Sequence, residues 1–154
     1  MLSDSLIKDI LFFLISSNRS GSVVKPTTQK SFGFFFKDFF YYLIVSQYFH
    51  PENLPINFIA KLLKEHGQEI NVLTGKPNYP KGKYFAGHSF FSKILGEEFS
   101  IKVFRMPITP RGSRFRTLGL AFNYLSFAFI ASIIAPFILR KEKYDVIFVY
   151  ANSP

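Results

Sequence analysis

No cysteine occurs in the 154 residues. A disulfide scaffold and thiolate chemistry are therefore excluded, and the composition suits the cytosol. Tryptophan is absent as well. Acids are scarce: 10 Asp and Glu stand against 19 Lys and Arg, a formal net charge of +9. That balance favours an anionic partner, whether nucleic acid, an acidic lipid surface or a phosphorylated ligand, and does not choose among them. Several signatures are missing too. Neither G-x-G-x-x-G nor G-x-x-x-x-G-K-[ST] occurs, and there is no G-x-S-x-G nucleophile elbow. No Asp-x-Asp pair is present to hold a divalent cation beside a diphosphate. His50, His66 and His88 lie in separate segments without clustered carboxylates, so neither a metal site nor a cofactor is expected.

What the chain has in plenty is Phe and Tyr, 21 and 8 of them. Much of the Phe lies in the first forty residues and over 115–137, a distribution that fits a coding bias toward Phe, Ile and Lys. The length allows one domain or part of a larger one. Residues 1–40 read as an extension. A short apolar stretch is interrupted by Lys8 and Asp9 and lacks the flanks of a secretory signal, and a Ser, Thr, Gly and Lys linker follows it.

Residues 41–154 read differently. The run 41–47 is continuously apolar, as in a strand covered on both faces. Asn53 is the expected N-cap of a helix with Pro55 in its first turn, and Ile56, Ile59, Ala60 and Leu63 share one face. Phe58 and Leu62 widen that stripe, and Gly67 ends the helix. Residues 70–73 form a second strand, 75–91 a long loop, 99–107 a third strand and 145–150 a last one. Strand, helix, strand in this order predicts an α/β fold. It has a Rossmann-like parallel sheet with flanking helices, whose ligands bind at the carboxyl ends of the strands. Residues 118–139 carry no charge and approach the length of a membrane span. Asn123, Ser126, Ser132 and Pro136, and the strand pattern that follows, favour a packed or membrane-surface helix instead.

The rule about carboxyl ends selects the candidate residues. His50, Glu52, Asn53 and Asn57 leave the first strand. Glu52 could accept hydroxyls or simply favour the positive end of the helix, and His50 could equally be a loop histidine bonded to backbone. Lys76, Asn78, Tyr79 and Lys81 leave the second strand in a loop whose amides and lysines suit a phosphate-bearing or sugar ligand. Arg111, Arg114 and Arg116, beside an apolar helix, suit either a membrane-surface patch or a solvated turn. His66 is expected to cap the first helix.

The wording VSQYFHPEN, then a helix, then NVLTGKPNYPKGK resembles the glycosyltransferase family 4 proteins of the WbuB type. These are bacterial sugar transferases of O-antigen, capsule and colanic-acid assembly. The match continues through Arg105-Met106-Pro107, Pro110-Arg111-Gly112 and 120–126 to 145–150 and Ser153-Pro154. It departs at the first helix, where Pro55 and Phe58 stand in place of the family's Arg and Asp.

The resemblance implies that 41–154 is an incomplete N-terminal, acceptor-side domain of a GT-B enzyme. That enzyme retains anomeric configuration and needs no metal, and a separate C-terminal domain binds the nucleotide-sugar through a pair of glutamates. On this reading the partners are a lipid-linked or glycan acceptor and the inner-membrane surface. The location is cytoplasmic and peripheral to the inner face of the plasma membrane, and no catalytic residue is assigned to this piece. The alternative is a basic membrane-anchored or nucleic-acid-binding module without catalysis. Against nucleic acid, no RNP-type or helix-turn-helix signature occurs.

Overall fold

A computed structural model describes residues 40–112 and 116–151. All but the last residue of the extension expected over 1–40, together with Arg114 and Ser153-Pro154, lie outside the described residues. The elements are β1 (Tyr41–Ser46), α1 (Pro55–Glu65), β2 (Glu69–Gly75), β3 (Leu95–Glu98), β4 (Ile101–Met106), α2 (Arg116–Leu139) and β5 (Val146–Tyr150). They form one five-stranded sheet in the order β3-β4-β2-β1-β5. The fold is α/β, and the sheet is mixed rather than purely parallel. Strands β4, β2, β1 and β5 run parallel, while β3 pairs antiparallel with β4.

Alternate residues of each strand face opposite sides of a sheet, and here each side has its own helix. Tyr42 and Ile44 of β1, Ile70 and Val72 of β2, and Ile101 and Val103 of β4 pack on Ile56, Ala60 and Leu63 of α1. Leu43, Leu73, Phe104 and Met106 point the other way, onto Phe127, Ile130, Ile134 and Ile138 of α2. The three layers explain why β1 reads as a nearly unbroken apolar run and why β2 is buried from Ile70 to Gly75, since both of their faces are covered. Each Ile or Val side chain buried this way contributes about 1.5–3 kcal/mol.

Helix α1 differs from expectation at its start. Asn53 is not its N-cap; it is exposed, and Leu54 holds that position with no side-chain cap bond. Instead, Asn57 Nδ2 donates to Glu52 O at 2.6 Å, fixing the entry to the helix. Phe58 does not join the buried stripe and is 52 % exposed. The end of α1 is as read: Gly67 takes φ 79°, and His66 Nδ1 lies 2.8 Å from Leu62 O. Strand β3 had no counterpart in the sequence reading, and Phe99, expected in a strand, lies in the β3–β4 turn.

The chain order sets the functional edge. From β1 it moves outward through β2 to β4, then returns across β1 to β5. In open α/β sheets the reversal leaves a crevice above the carboxyl ends of the two strands it separates, here β1 and β5.

Candidate functional site

Two loops leave the carboxyl edge, one after β1 and one after β2, and a single carboxylate joins them. Glu52 is 1 % exposed. Its Oε1 accepts the amides of Asn78 at 2.8 Å and Tyr79 at 2.7 Å, and its Oε2 accepts that of Phe49 at 3.1 Å. Burial pushes its carboxyl up to about 7, against the pull of those three N–H groups and of Arg105. Glu52 is thus the internal tie between the loops.

Lys76 and Asn78 are tied down as well. Lys76 is fully buried, and its ammonium donates to Ser92 O, to Ser92 Oγ and, at 3.0 Å, to Lys93 O. Burial, reinforced by Arg105, pulls it below the usual lysine range. Lys76 therefore pins the far end of the β2–β3 loop. Asn78 is also fully buried and donates to Lys76 O at 3.0 Å. Gly75 permits this crossing, because a Cβ there would sit 2.6 Å from Ile108 Cδ1 and 2.9 Å from Gln47 O.

His50 turns toward β3. Its Nδ1 lies 2.9 Å from Glu98 Oε2, and its carbonyl accepts Arg105 Nη2 at 2.7 Å. Arg105 also holds Glu98 at 2.8 Å, so His50, Glu98 and Arg105 form one cluster. His88 is electrostatically coupled to it, and burial, with Arg105 and Lys76 nearby, lowers its pKa.

A second cluster forms around Tyr48, which is itself buried at 2 % exposure. Tyr79 is half-buried, with its ring 5.6 Å from that of Tyr48. The Arg111 guanidinium lies 4.9 Å from the Tyr79 ring and 5.1 Å from the Tyr48 ring, within cation–π reach of both. Arg111 Nε donates to Tyr48 OH at 2.9 Å, while its Nη2 is buried without an acceptor among the described residues. Lys81 is exposed beside them in sequence. Burial raises the Tyr48 phenol to about 12, with Arg111 opposing the shift, so it remains a neutral donor.

Asn123 of α2 completes the cluster. Its Oδ1 accepts Tyr48 OH at 2.6 Å and Gln47 Nε2 at 2.7 Å. Its Nδ2 donates to Thr109 O at 2.6 Å and reaches Asn78 Oδ1 at 3.4 Å. Gly119 lets the Arg111 main chain rest on α2, since a Cβ there would fall 1.7 Å from Arg111 O.

The expected residues therefore divide. Tyr79 and Arg111 gather at the carboxyl edge, next to Tyr48, Gln47 and Asn123, and Lys81 is exposed two residues beyond Tyr79. Glu52, Asn57, Lys76 and Asn78 shape the loops from within. Asn53 is exposed at the start of α1, and His50 joins the Glu98–Arg105 cluster. Arg114 lies outside the described residues, and Arg116 is described as the first residue of α2 only. Tyr48 and Asn123 were not singled out as site residues. Asn123 carried a signal all the same, as an amide in an otherwise uncharged apolar stretch.

At the opposite edge a groove of about 560 Å³ is lined by Tyr41, Glu69, Asn71, Glu97 and Lys102. Glu69 and Lys102 are already ion-paired, to Lys64 at 3.2 Å and to Glu142 at 3.1 Å. No group of three or more His, Asp or Glu side chains converges among the described residues. Comparison of the chain with family models, curated proteins and solved structures returned no match.

Proposed function

We propose that the chain is the acceptor-binding, N-terminal part of a retaining, metal-independent GT-B glycosyltransferase. Such an enzyme moves a sugar from a nucleotide-sugar to a lipid-linked glycan acceptor in surface polysaccharide synthesis. The observation that supports this reading is the Tyr48–Tyr79–Arg111–Asn123 cluster, drawn from the loops after β1, β2 and β4 and from α2. The half-buried Tyr79 ring suits a sugar face and the guanidinium of the partly exposed Arg111 suits a phosphate oxygen, with the buried Tyr48 and Asn123 holding them in place. The resemblance of the β1–α1–β2 segment to the WbuB-type transferases supplies the reaction class.

In this reading Tyr79, Arg111 and Lys81 touch the acceptor. Glu52, Lys76 and Asn78 position Tyr79 by holding its loop. This piece contributes binding and orientation, which lower a barrier by fixing the reacting hydroxyl. The donor and its glutamate pair belong to a second domain.

The test is titration of the protein with a short-chain polyprenyl-diphosphate sugar. Saturable binding is expected, weakened at least tenfold in the double variant Tyr79→Ala, Lys81→Ala at unchanged far-UV circular dichroism. Absence of saturable binding, or equal binding by the double variant, overturns the assignment. Saturable binding of an oligonucleotide instead, with affinity falling steeply with salt, would favour the basic nucleic-acid module.

A further inference from the structure

Helix α2 has two apolar faces and a protein partner for only one. Phe127, Ile130, Ala131, Ile134, Ala135 and Ile138 recur at helical spacing and pack on the sheet. Leu118, Phe122, Leu125, Phe129, Ile133 and Phe137 recur with the same spacing on the other side, and all six are large and exposed. Phe129 and Phe137 are 68 % and 69 % exposed. Residues 117–139 are long and apolar enough to cross a membrane, and only 11 % of an apolar 18-residue window within them is buried. Contiguous apolar patches of this kind on soluble proteins mark a surface that meets something.

We propose that this outer face docks in the plane of an anionic lipid bilayer and does not cross it. Charge argues for lipid. No Asp or Glu occurs from residue 99 to residue 141. Arg114 and Arg116 precede the ridge in sequence. Arg140, Lys141 and Lys143 follow it and are exposed. The nearest acid, Glu142, is held by Lys102 at 3.1 Å. Cations at both ends of an apolar ridge match headgroups lying over acyl chains.

The chemistry of the ridge argues against a protein partner. Protein interfaces carry about one hydrogen bond per 100–200 Å². The hydroxyl of Ser132, on the exposed side, is already spent on Ala128 O at 2.7 Å. The packing argues against a span, since crossing would strip Phe127, Ile130, Ile134 and Ile138 from Leu43, Leu73, Phe104 and Met106. The proposal stands without the transferase reading. Joined to it, in-plane docking would hold the crevice at the bilayer, because Asn123 belongs to both α2 and the crevice cluster.

The test is co-sedimentation of the protein with phosphatidylcholine vesicles, with and without phosphatidylglycerol. At least tenfold stronger binding to the anionic vesicles is expected, weakening as salt rises, with release by alkaline carbonate. The double variant Phe122→Glu, Phe129→Glu should lose at least tenfold in vesicle affinity, while Phe58→Glu on the exposed side of α1 should not. A Phe129→Trp variant gives a readout that tolerates failure of the charged variant: brominated lipids should quench its fluorescence. Retention through carbonate would mean a span and overturns the proposal. It is equally overturned by absence of vesicle binding, or by a dimer that needs the same phenylalanines and ignores lipid.

Discussion

Glu52 sits where charge is costly and neutrality wastes an acceptor. Burial raises its pKa from 4.5 to about 7. Between those two values the folded protein binds a proton that the unfolded chain has released, so stability falls as pH rises. The fall begins near the unfolded value, is complete just above pH 7, and amounts to roughly 3 kcal/mol at most at 1.36 kcal/mol per unit. Glu52→Gln should remove this slope. Its amide oxygen can still accept from Asn78 and Tyr79, but its NH₂ cannot accept from Phe49. Denaturant unfolding of both proteins from about pH 4.5 to 8 should therefore show the wild-type midpoint falling with pH relative to the variant's, over any opposite slope that His88, with its lowered pKa, gives to both. Parallel profiles would mean that the carboxylate is not desolvated as described. The sequence marked Glu52, Lys76 and Asn78 as polar loop residues, and polar loop residues usually face solvent. Their burial depends on which other loop covers them, and that is a three-dimensional fact with no local pattern. Tyr79 and Lys81 were legible because nothing covers them fully.

At the scale of elements, the legible ones were those whose burial is written in one dimension. Strands β1 and β5 are mostly apolar runs, β2 and β4 set Ile70, Val72 and Leu73, and Ile101, Val103 and Phe104, among polar residues, and α1 has its face at helical spacing. Strand β3, Leu-Gly-Glu-Glu, has no such pattern, because a half-covered edge strand is held by its ladder to β4. The length of α2 was legible, but its orientation was not, because both of its faces are apolar. The β3–β4 turn was hidden as well. Phe99 and Ser100 take φ 56° and 58°, a region that costs non-glycine residues about 1–2 kcal/mol each. Phe99 offsets this through its contacts: its ring lies 4.7 Å from that of His50 and 6.4 Å from that of Phe49, with Lys61 Nζ 3.9 Å over its face. Ser100 is exposed and has no such contacts. Ser100→Gly should accordingly raise stability by about 0.5–1 kcal/mol. Phe99→Gly should lower it by about 2 kcal/mol or more, since the lost packing outweighs the relieved backbone. Thermal unfolding of the two variants reads both signs. A stabilised Phe99→Gly would mean that the ring does not brace the turn.

Over the whole molecule the two faces of the sheet are covered unequally. Below β5, Val146, Phe148 and Tyr150 reach the α1-side core, whereas Ile147 and Val149 face the α2 side and are 50 % and 66 % exposed. Helix α2 does not extend over them, because it packs on Leu43, Leu73, Phe104 and Met106. Strand β5 is also at the end of the sheet, paired only with β1 among the described residues. An exposed apolar strip at the end of a sheet favours association with another chain, and a charged side chain is the usual device that prevents it. β3, at the other edge, carries Glu97 and Glu98 and is blunted in this way. Isolated in water, the protein should therefore self-associate through the exposed Val149 side chain, and Val149→Lys should shift it toward monomer. The cost to stability should stay within about 0.5 kcal/mol, since the replaced side chain is mostly in solvent. Sedimentation velocity over a concentration series separates this edge from the ridge of α2. Association that persists in Val149→Lys but disappears in the Phe122→Glu, Phe129→Glu double variant would place the contact on the helix. The reverse result would place it on the strand and leave the ridge free for lipid.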